Sequence, residues 1–177
     1  MWWKPTKTKM MRNGRNWMAK LAIYLAARNR GLLIALGVMI ADVVSKAWAL
    51  AAEQDGVLPL WLADGFGFHF AWNRGMSFSL LDGVSWGPWL LGLVAIAACI
   101  WFIHWLGEHY GWVHQAGLGM LIGGAVGNVL DRVQHGAVVD FILTNPWGLF
   151  PYTYNIADIG ITCGVVLLLL DSWLRRA

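Results

Sequence analysis

The amino-acid sequence predicts an all-α polytopic membrane protein: four transmembrane helices with a small extracytoplasmic β-sheet. Three observations carry this. Hydrophobic residues make up 58% of the 177-residue chain and charged residues only 13%, where a soluble domain carries roughly a quarter charged. The apolar residues gather into four runs, 31–52, 84–106, 112–130 and 156–174, each near the ~20 residues that cross a bilayer core. The basic residues are also lopsided. Eight of the thirteen (Lys4, Lys7, Lys9, Arg12, Arg15, Lys20, Arg28, Arg30) precede the first run, and Arg175 and Arg176 follow the last. The positive-inside rule then puts both termini in the cytoplasm and segments 53–83 and 131–155 outside.

Residues 1–30 read as a basic, Trp-containing arm, set apart from a membrane domain over 31–177. Within the arm NWMAKLAIYLAARNR suits an amphipathic helix on the inner surface, or a plain charged anchor. The first run, GLLIALGVMIADVVSKAWALAA, is too long for a cleavable signal peptide and has no small-residue cleavage site after it. In the outer loop FGFHFAWN sets Phe66, Phe68, Phe70 and Trp72 at alternate positions, the period of a strand with one apolar face. Trp86 and Trp89 flank one end of the second run and Trp101, Trp105 and Trp112 the other, as interfacial belts do. The third run carries Gly119, Gly123 and Gly127 at every fourth position, a face that lets a neighbouring helix approach closely. Beyond it AVVDFIL (137–143) is rich in β-branched residues and closes on NPWG, so it reads as a second strand able to pair with the first. Cys99 and Cys163 lie inside runs and read as small packing residues. No 20–50-residue repeat is visible. The net charge of +3 reports orientation and attraction to anionic lipid heads, not nucleic acid.

Charges placed inside such runs are costly and point to function. At a helical rise of about 1.5 Å per residue, Asp42 lies about 18 Å and Lys46 about 24 Å from the inner boundary. The same count puts Asn128 at about 25 Å, Asp131 at about 30 Å and Asp158 at about 25 Å. Charged groups from three helices thus arrive at one level. Asp171 falls near the inner boundary, where a solvated surface role suits it. Asp42 and Lys46 are four apart and can pair on one helix face, and Arg132 can neutralise Asp131. Asp140 and Asp158 have no cation beside them in sequence. Those two are the candidates for chemistry.

Two carboxyls forced together cannot both ionise cheaply, so one keeps its proton. The ionised one can take a proton from water while the other polarises a peptide carbonyl, the aspartic-protease arrangement. His69, His104, His109, His114 and His135 are scattered over both sides of the membrane, without HExxH or CxxC spacing, so no metal is expected. A serine–lysine dyad would need Ser45, Ser77 or Ser79 to reach Lys46, and Ser45 points about 100° away around its helix. A second reading makes the chain a proton- or ion-coupled transporter subunit using the same carboxylates. Transport sites favour the midplane and repeated halves, and here the charges cluster at one face.

The blocks ADVVSK (41–46), NRGMSF (73–78), GGAVGNVLDRVQHGAVVDF (123–141) and YNIAD (154–158) resemble, in order and spacing, the signature motifs of the bacterial lipoprotein signal peptidase (signal peptidase II) family, over about residues 31–174. The resemblance implies an aspartyl endopeptidase of the cytoplasmic (inner) membrane, working as a monomer near the outer face without a cofactor. Such an enzyme cuts prolipoproteins before a diacylglyceryl-modified cysteine, among membrane lipids, and is a target of globomycin-type inhibitors. By that pattern Asp140 and Asp158 are the catalytic pair. Asn73, Asn128, Arg132 and Asn155 line the site, and Asp42, Lys46 and Asp131 support it. Met76 and Ser77 stand where two alanines are common, and Ile159 where a serine often follows.

Overall fold

A computed structural model describes residues 7–75, 86–106, 111–145 and 152–175, with side chains from Arg28 onward. Its first element, α1 (Lys7–Gln54), runs without interruption through residue 30. No proline occurs between Pro5 and Pro59, so nothing removes a ladder hydrogen bond along the way. From Lys7 on, the expected arm lies on the same continuous helix as the first span. The other helices are α2 (Gly87–Leu106), α3 (Trp112–His135) and α4 (Ile156–Leu174). All three, and α1 from Arg28 to Gln54, are long and apolar enough to cross a membrane.

α3 is the centre of the bundle. It packs against α1, α2 and α4 and is mostly buried, whereas the other three expose most of their apolar side chains, as helices facing lipid must. Two glycine faces explain how it is enclosed. A Cβ on Gly119 or Gly123 would run into the α1 backbone at Gly31 or Ala35, and one on Gly127 into the Asp42 carboxylate. On the other side, a Cβ on Gly124 would meet the Ala157 carbonyl of α4, and Gly117 and Gly164 touch backbone to backbone. The fourfold spacing expected from the sequence is therefore the α1 contact, and a second stripe serves α4. Where helices associate within lipid, this close packing replaces the hydrophobic drive available in water.

At the end of the bundle where α1 stops and α4 begins sit four strands, β1 (Leu60–Ala63), β2 (Phe66–Asn73), β3 (Val138–Thr144) and β4 (Tyr152–Tyr154), all antiparallel in the order β1-β2-β3-β4. The two strands read from sequence are the inner pair. The sheet rests on the top of α1, where Ala49 meets Val139, Phe141 and Ile142. Trp48 stands edge-on to Phe68 at 5.2 Å and to Phe141 at 6.1 Å. α3 runs to His135, five residues beyond the expected end of the third span, so Asp131 and Arg132 ride its last turn instead of opening a loop. Gly136, with φ 66°, closes the helix by donating to the Arg132 carbonyl, the left-handed cap that glycine adopts without penalty. The chain then turns straight into β3.

At the opposite end of the bundle Asp171 is not a solvated surface group. Its side chain is 15% exposed and takes Arg175 Nε at 2.8 Å and His114 Nδ1 at 3.4 Å, while His114 lies edge-on to Trp105. It fastens α4 to α3. The glycine faces set an expected outcome for thermal unfolding in detergent. Gly123→Val overpacks against Ala35 and Val38 and loses about 1–3 kcal/mol. Gly37→Ala, where nothing lies within 4 Å, keeps or raises the midpoint.

Candidate active site

The buried ammonium of Lys46 organises the sheet end of the bundle. Lys46 is 2% exposed and Asp42 0%, and Lys46 Nζ meets Asp42 Oδ2 at 2.8 Å, one helical turn apart, and Asp131 Oδ2 at 2.9 Å. Its third partner is Asn128 Oδ1 at 3.0 Å. The expected Asp42–Lys46 pair is present. The expected cation for Asp131 is corrected: it is Lys46, not the neighbouring Arg132. Arg132 sits on the next flank of α3 and donates to the Asn128 carbonyl at 3.0 Å. Both acids also hold backbone. Asp42 Oδ1 accepts from Ala157 N at 2.8 Å, in the first turn of α4, where an anion suits the helix dipole. Asp131 Oδ2 accepts from Val139 N at 2.9 Å, which pins β3.

An ammonium can only donate, so Asn128 must turn its oxygen to Lys46 and its nitrogen the other way. That nitrogen donates to Asp158 Oδ1 at 2.9 Å. Asn155 works similarly. It caps α4: its Oδ1 accepts from Asp158 N at 2.9 Å, and Asp158 Oδ2 receives Asn155 N at 3.4 Å, a complete capping box of the kind that satisfies orphan first-turn donors. With its oxygen committed, the Asn155 amide nitrogen faces Asp140 Oδ1 at 2.7 Å and Asn128 Oδ1 at 3.2 Å. One asparagine thus bridges the strand carboxylate and the helix carboxylate.

The other oxygen of Asp140 accepts from Asn73 Nδ2 at 3.0 Å. This contact depends on an irregularity in β2. Phe68 pairs with Ile142, but Ala71 pairs with Asp140, so one extra residue is taken up between them. A slip of one position moves a side chain to the opposite face of a sheet. The bulge therefore sets Asn73 on the Asp140 face. Asn73 Oδ1 in turn accepts from Gly75 N at 3.1 Å.

All nine polar residues singled out in the sequence thus belong to one cluster spanning α1, β2, α3, β3 and α4. Asp140 is 2% exposed. Burial and the facing Asp158 carboxylate push its carboxyl up to about 7, against the hydrogen bonds from Asn73 and Asn155. Beside Asp158 and Arg132 is a polar cavity of about 150 Å³, lined by Asn73, Gly75, Asn128, Arg132, Val138, Tyr152 and Asp158. Gly75, Val138 and Tyr152 are lining residues that sequence reasoning did not single out; for Tyr152, PYTY carries no spacing that marks it. Ser45 Oγ donates back to the Asp42 carbonyl, which removes it as a nucleophile. Ser77 and Ser79 lie outside the described residues, as does the second half of NRGMSF, from Met76 on.

The sequence and the fold both have relatives. A family model described as Signal peptidase (SPase) II matches residues 34–174. A lipoprotein signal peptidase of Caulobacter vibrioides is 41% identical, covering 81% of this chain and 86% of its own. Another from Methylorubrum extorquens is 36% identical, over 84% and 88%. A bacterial membrane enzyme solved by the in meso method superposes with a TM-score of 0.70 at 28% identity, covering 83% of this chain and 89% of its own.

Two measurements check the site. A carboxyl whose pKa is raised on folding adds stability while protonated and loses it as pH rises from about 4 through 7. The thermal midpoint of wild type therefore falls relative to that of Asp140→Asn between pH 5 and 8; parallel curves would mean that Asp140 ionises normally. Lys46→Met leaves Asp42 and Asp131 buried without their cation, which costs about 3–5 kcal/mol and shows as low recovery of folded protein.

Proposed function

We infer the reaction of this chain from its membership: it belongs to the signal peptidase II family, and is a multi-pass membrane peptidase that removes signal peptides from lipoproteins. Beyond that coarse activity, we propose an aspartyl endopeptidase acting on diacylglyceryl-modified prolipoproteins at the outer face of the cytoplasmic membrane. The cut falls just before the lipid-bearing cysteine, and both termini of the chain are cytoplasmic. The observation that carries the proposal is one shared residue: Asn155 donates its side-chain amide to the Asp140 carboxylate and its backbone N–H to the Asp158 carboxylate.

In this reading Asp140 is the protonated member, since its carboxyl sits at about 7, and Asp158 the ionised one. Asp158 takes a proton from a water molecule as its oxygen attacks the scissile carbonyl carbon. Asp140 donates a hydrogen bond to the carbonyl oxygen as negative charge grows there. When the tetrahedral species collapses, Asp158 returns its proton to the departing amide nitrogen, and the C–N bond breaks. Asn73 and Asn155 keep Asp140 in place, and Asn128 keeps Asp158 in place. Arg132, in the polar cavity, steadies the substrate backbone. A substrate whose apolar segment is still in the bilayer presents its scissile bond at this level without leaving the membrane.

Asp140→Asn and Asp158→Asn keep the shape and remove the acid–base function. Each should cut turnover of a lipid-modified precursor by about a thousandfold or more, with the protein still inserted and folded. The assay is gel-shift cleavage by purified enzyme, and turnover retained by either variant would reject the dyad.

A further inference from the structure

The reaction above leaves α2 without a role, since this helix supplies none of the nine polar residues of the cluster. Its buried residues Pro88, Gly92, Cys99 and Leu106 fall within about 40° of one another around the helix, on the side that packs against α3. Leu93 and Val94, on the other side, are 65% and 59% exposed. Gly92 differs from the glycines that bring helices together. A Cβ on Gly119, Gly123 or Gly124 would run into the backbone of a neighbouring helix. A Cβ on Gly92 would meet, among the described residues, a single atom within 4 Å: Cδ of Arg132, at 3.9 Å. What this glycine leaves is not a helix contact but a slot, and the aliphatic stem of Arg132 lies along it.

We propose that Gly92 is a positioning residue for the reaction: the slot it leaves in α2 seats the stem of Arg132 and so aims the guanidinium into the polar cavity. The inference rests on the reading above, in which Arg132 steadies the substrate backbone. A long side chain that is held in place has already lost its rotamer freedom, and that cost is then not charged to substrate binding. The hold on Arg132 comes from two directions. Its Nη1 donates to the Asn128 carbonyl one turn back at 3.0 Å, and α2 backs the stem. The direction of α2 makes the slot sensitive to size. Gly92 lies beside Arg132, in the last turn of α3, whereas Leu106 touches Gly31 at the far end of the bundle, so the N-terminus of α2 is at the sheet end. Helical side chains lean toward the N-terminus of their own helix. A larger residue at 92 therefore reaches along the stem toward the guanidinium, while a lone methyl stays at ordinary van der Waals distance from Cδ.

The test is a double-mutant cycle on full-length enzyme in detergent, with a lipid-modified precursor as substrate and the thermal midpoint of each variant measured alongside. Gly92→Leu is expected to lower kcat/KM by about tenfold or more, with the loss divided between kcat and KM as it is in Arg132→Ala. Gly92→Ala stays near wild type. In the Arg132→Ala background there is no stem to displace, so adding Gly92→Leu changes nothing further, because residues that act through one interaction do not add. Val94→Phe, on the lipid face of the same helix, leaves kcat/KM unchanged. Gly92→Val repeats the cycle should Gly92→Leu fail to fold. The same loss from Gly92→Leu with and without Arg132, or an equal loss from Val94→Phe, would mark a general effect of bulk on α2; either result overturns the proposal. Arg132→Ala keeps the two readings apart. An impaired Arg132→Ala with an additive Gly92→Leu refutes the slot alone, and a fully active Arg132→Ala refutes the substrate role of Arg132 beneath it.

Discussion

One ammonium sets the polarity of everything around it. Lys46 has three hydrogens and three acceptors, Asp42, Asp131 and Asn128, all within 2.8–3.0 Å. Because it offers only donors, it fixes the sense of the Asn128 amide, which then presents a donor to Asp158. Asn155, locked by its own cap, presents a donor to Asp140. An order that begins at a single cation thus reaches both carboxylates through two amides that cannot flip without opposing like to like. Ion pairs of this kind seldom add net stability over well-packed apolar residues. What this one supplies is direction: each polar atom near the dyad has one arrangement that satisfies it.

The bundle around this cluster is divided by solvent. α3 is shielded from lipid by its neighbours, and its two glycine stripes bring α1 and α4 close enough for side chains of three helices to meet across its end. Removed from water, opposed carboxylates act on each other strongly, and one is driven to keep its proton near neutral pH. The same low-dielectric setting makes the backbone links of Asp42 to α4 and Asp131 to β3 effective. Helix ends, strand start and carboxylates are therefore held by one set of atoms.

Much of this could be read from the chain. Span length and apolar continuity are local properties, and so is the alternation of Phe66, Phe68, Phe70 and Trp72; the four helices and inner two strands followed from them. The charges of the cluster and Asn128 were visible as polar groups out of place, whereas Asn73 and Asn155 came from the family resemblance. The pairing within the cluster was not visible. Arg132 stands next to Asp131 in sequence, yet on a helix adjacent residues diverge by about 100°, and the cation that arrives comes from α1. Asp171 was misread because its partners include His114, on another helix. β1 and β4, four and three residues long, are too short to show a period. The β2 bulge that aims Asn73 leaves no trace in composition, since it is a matter of register. Cavities are further still from the sequence, being shaped by what several elements fail to fill.

The Asp42–Lys46 pair closes within a single turn of α1, while its other partners lie on elements that follow far later in the chain. During synthesis α1 can therefore enter the bilayer with its two charges already compensating each other, before α3 exists. When α3 follows, Asp131 and Asn128 find an ammonium waiting at their depth, and the late helix is recruited by a charge that the early one carried in safely. The order of the polar residues along the chain is in this sense also a plan of assembly.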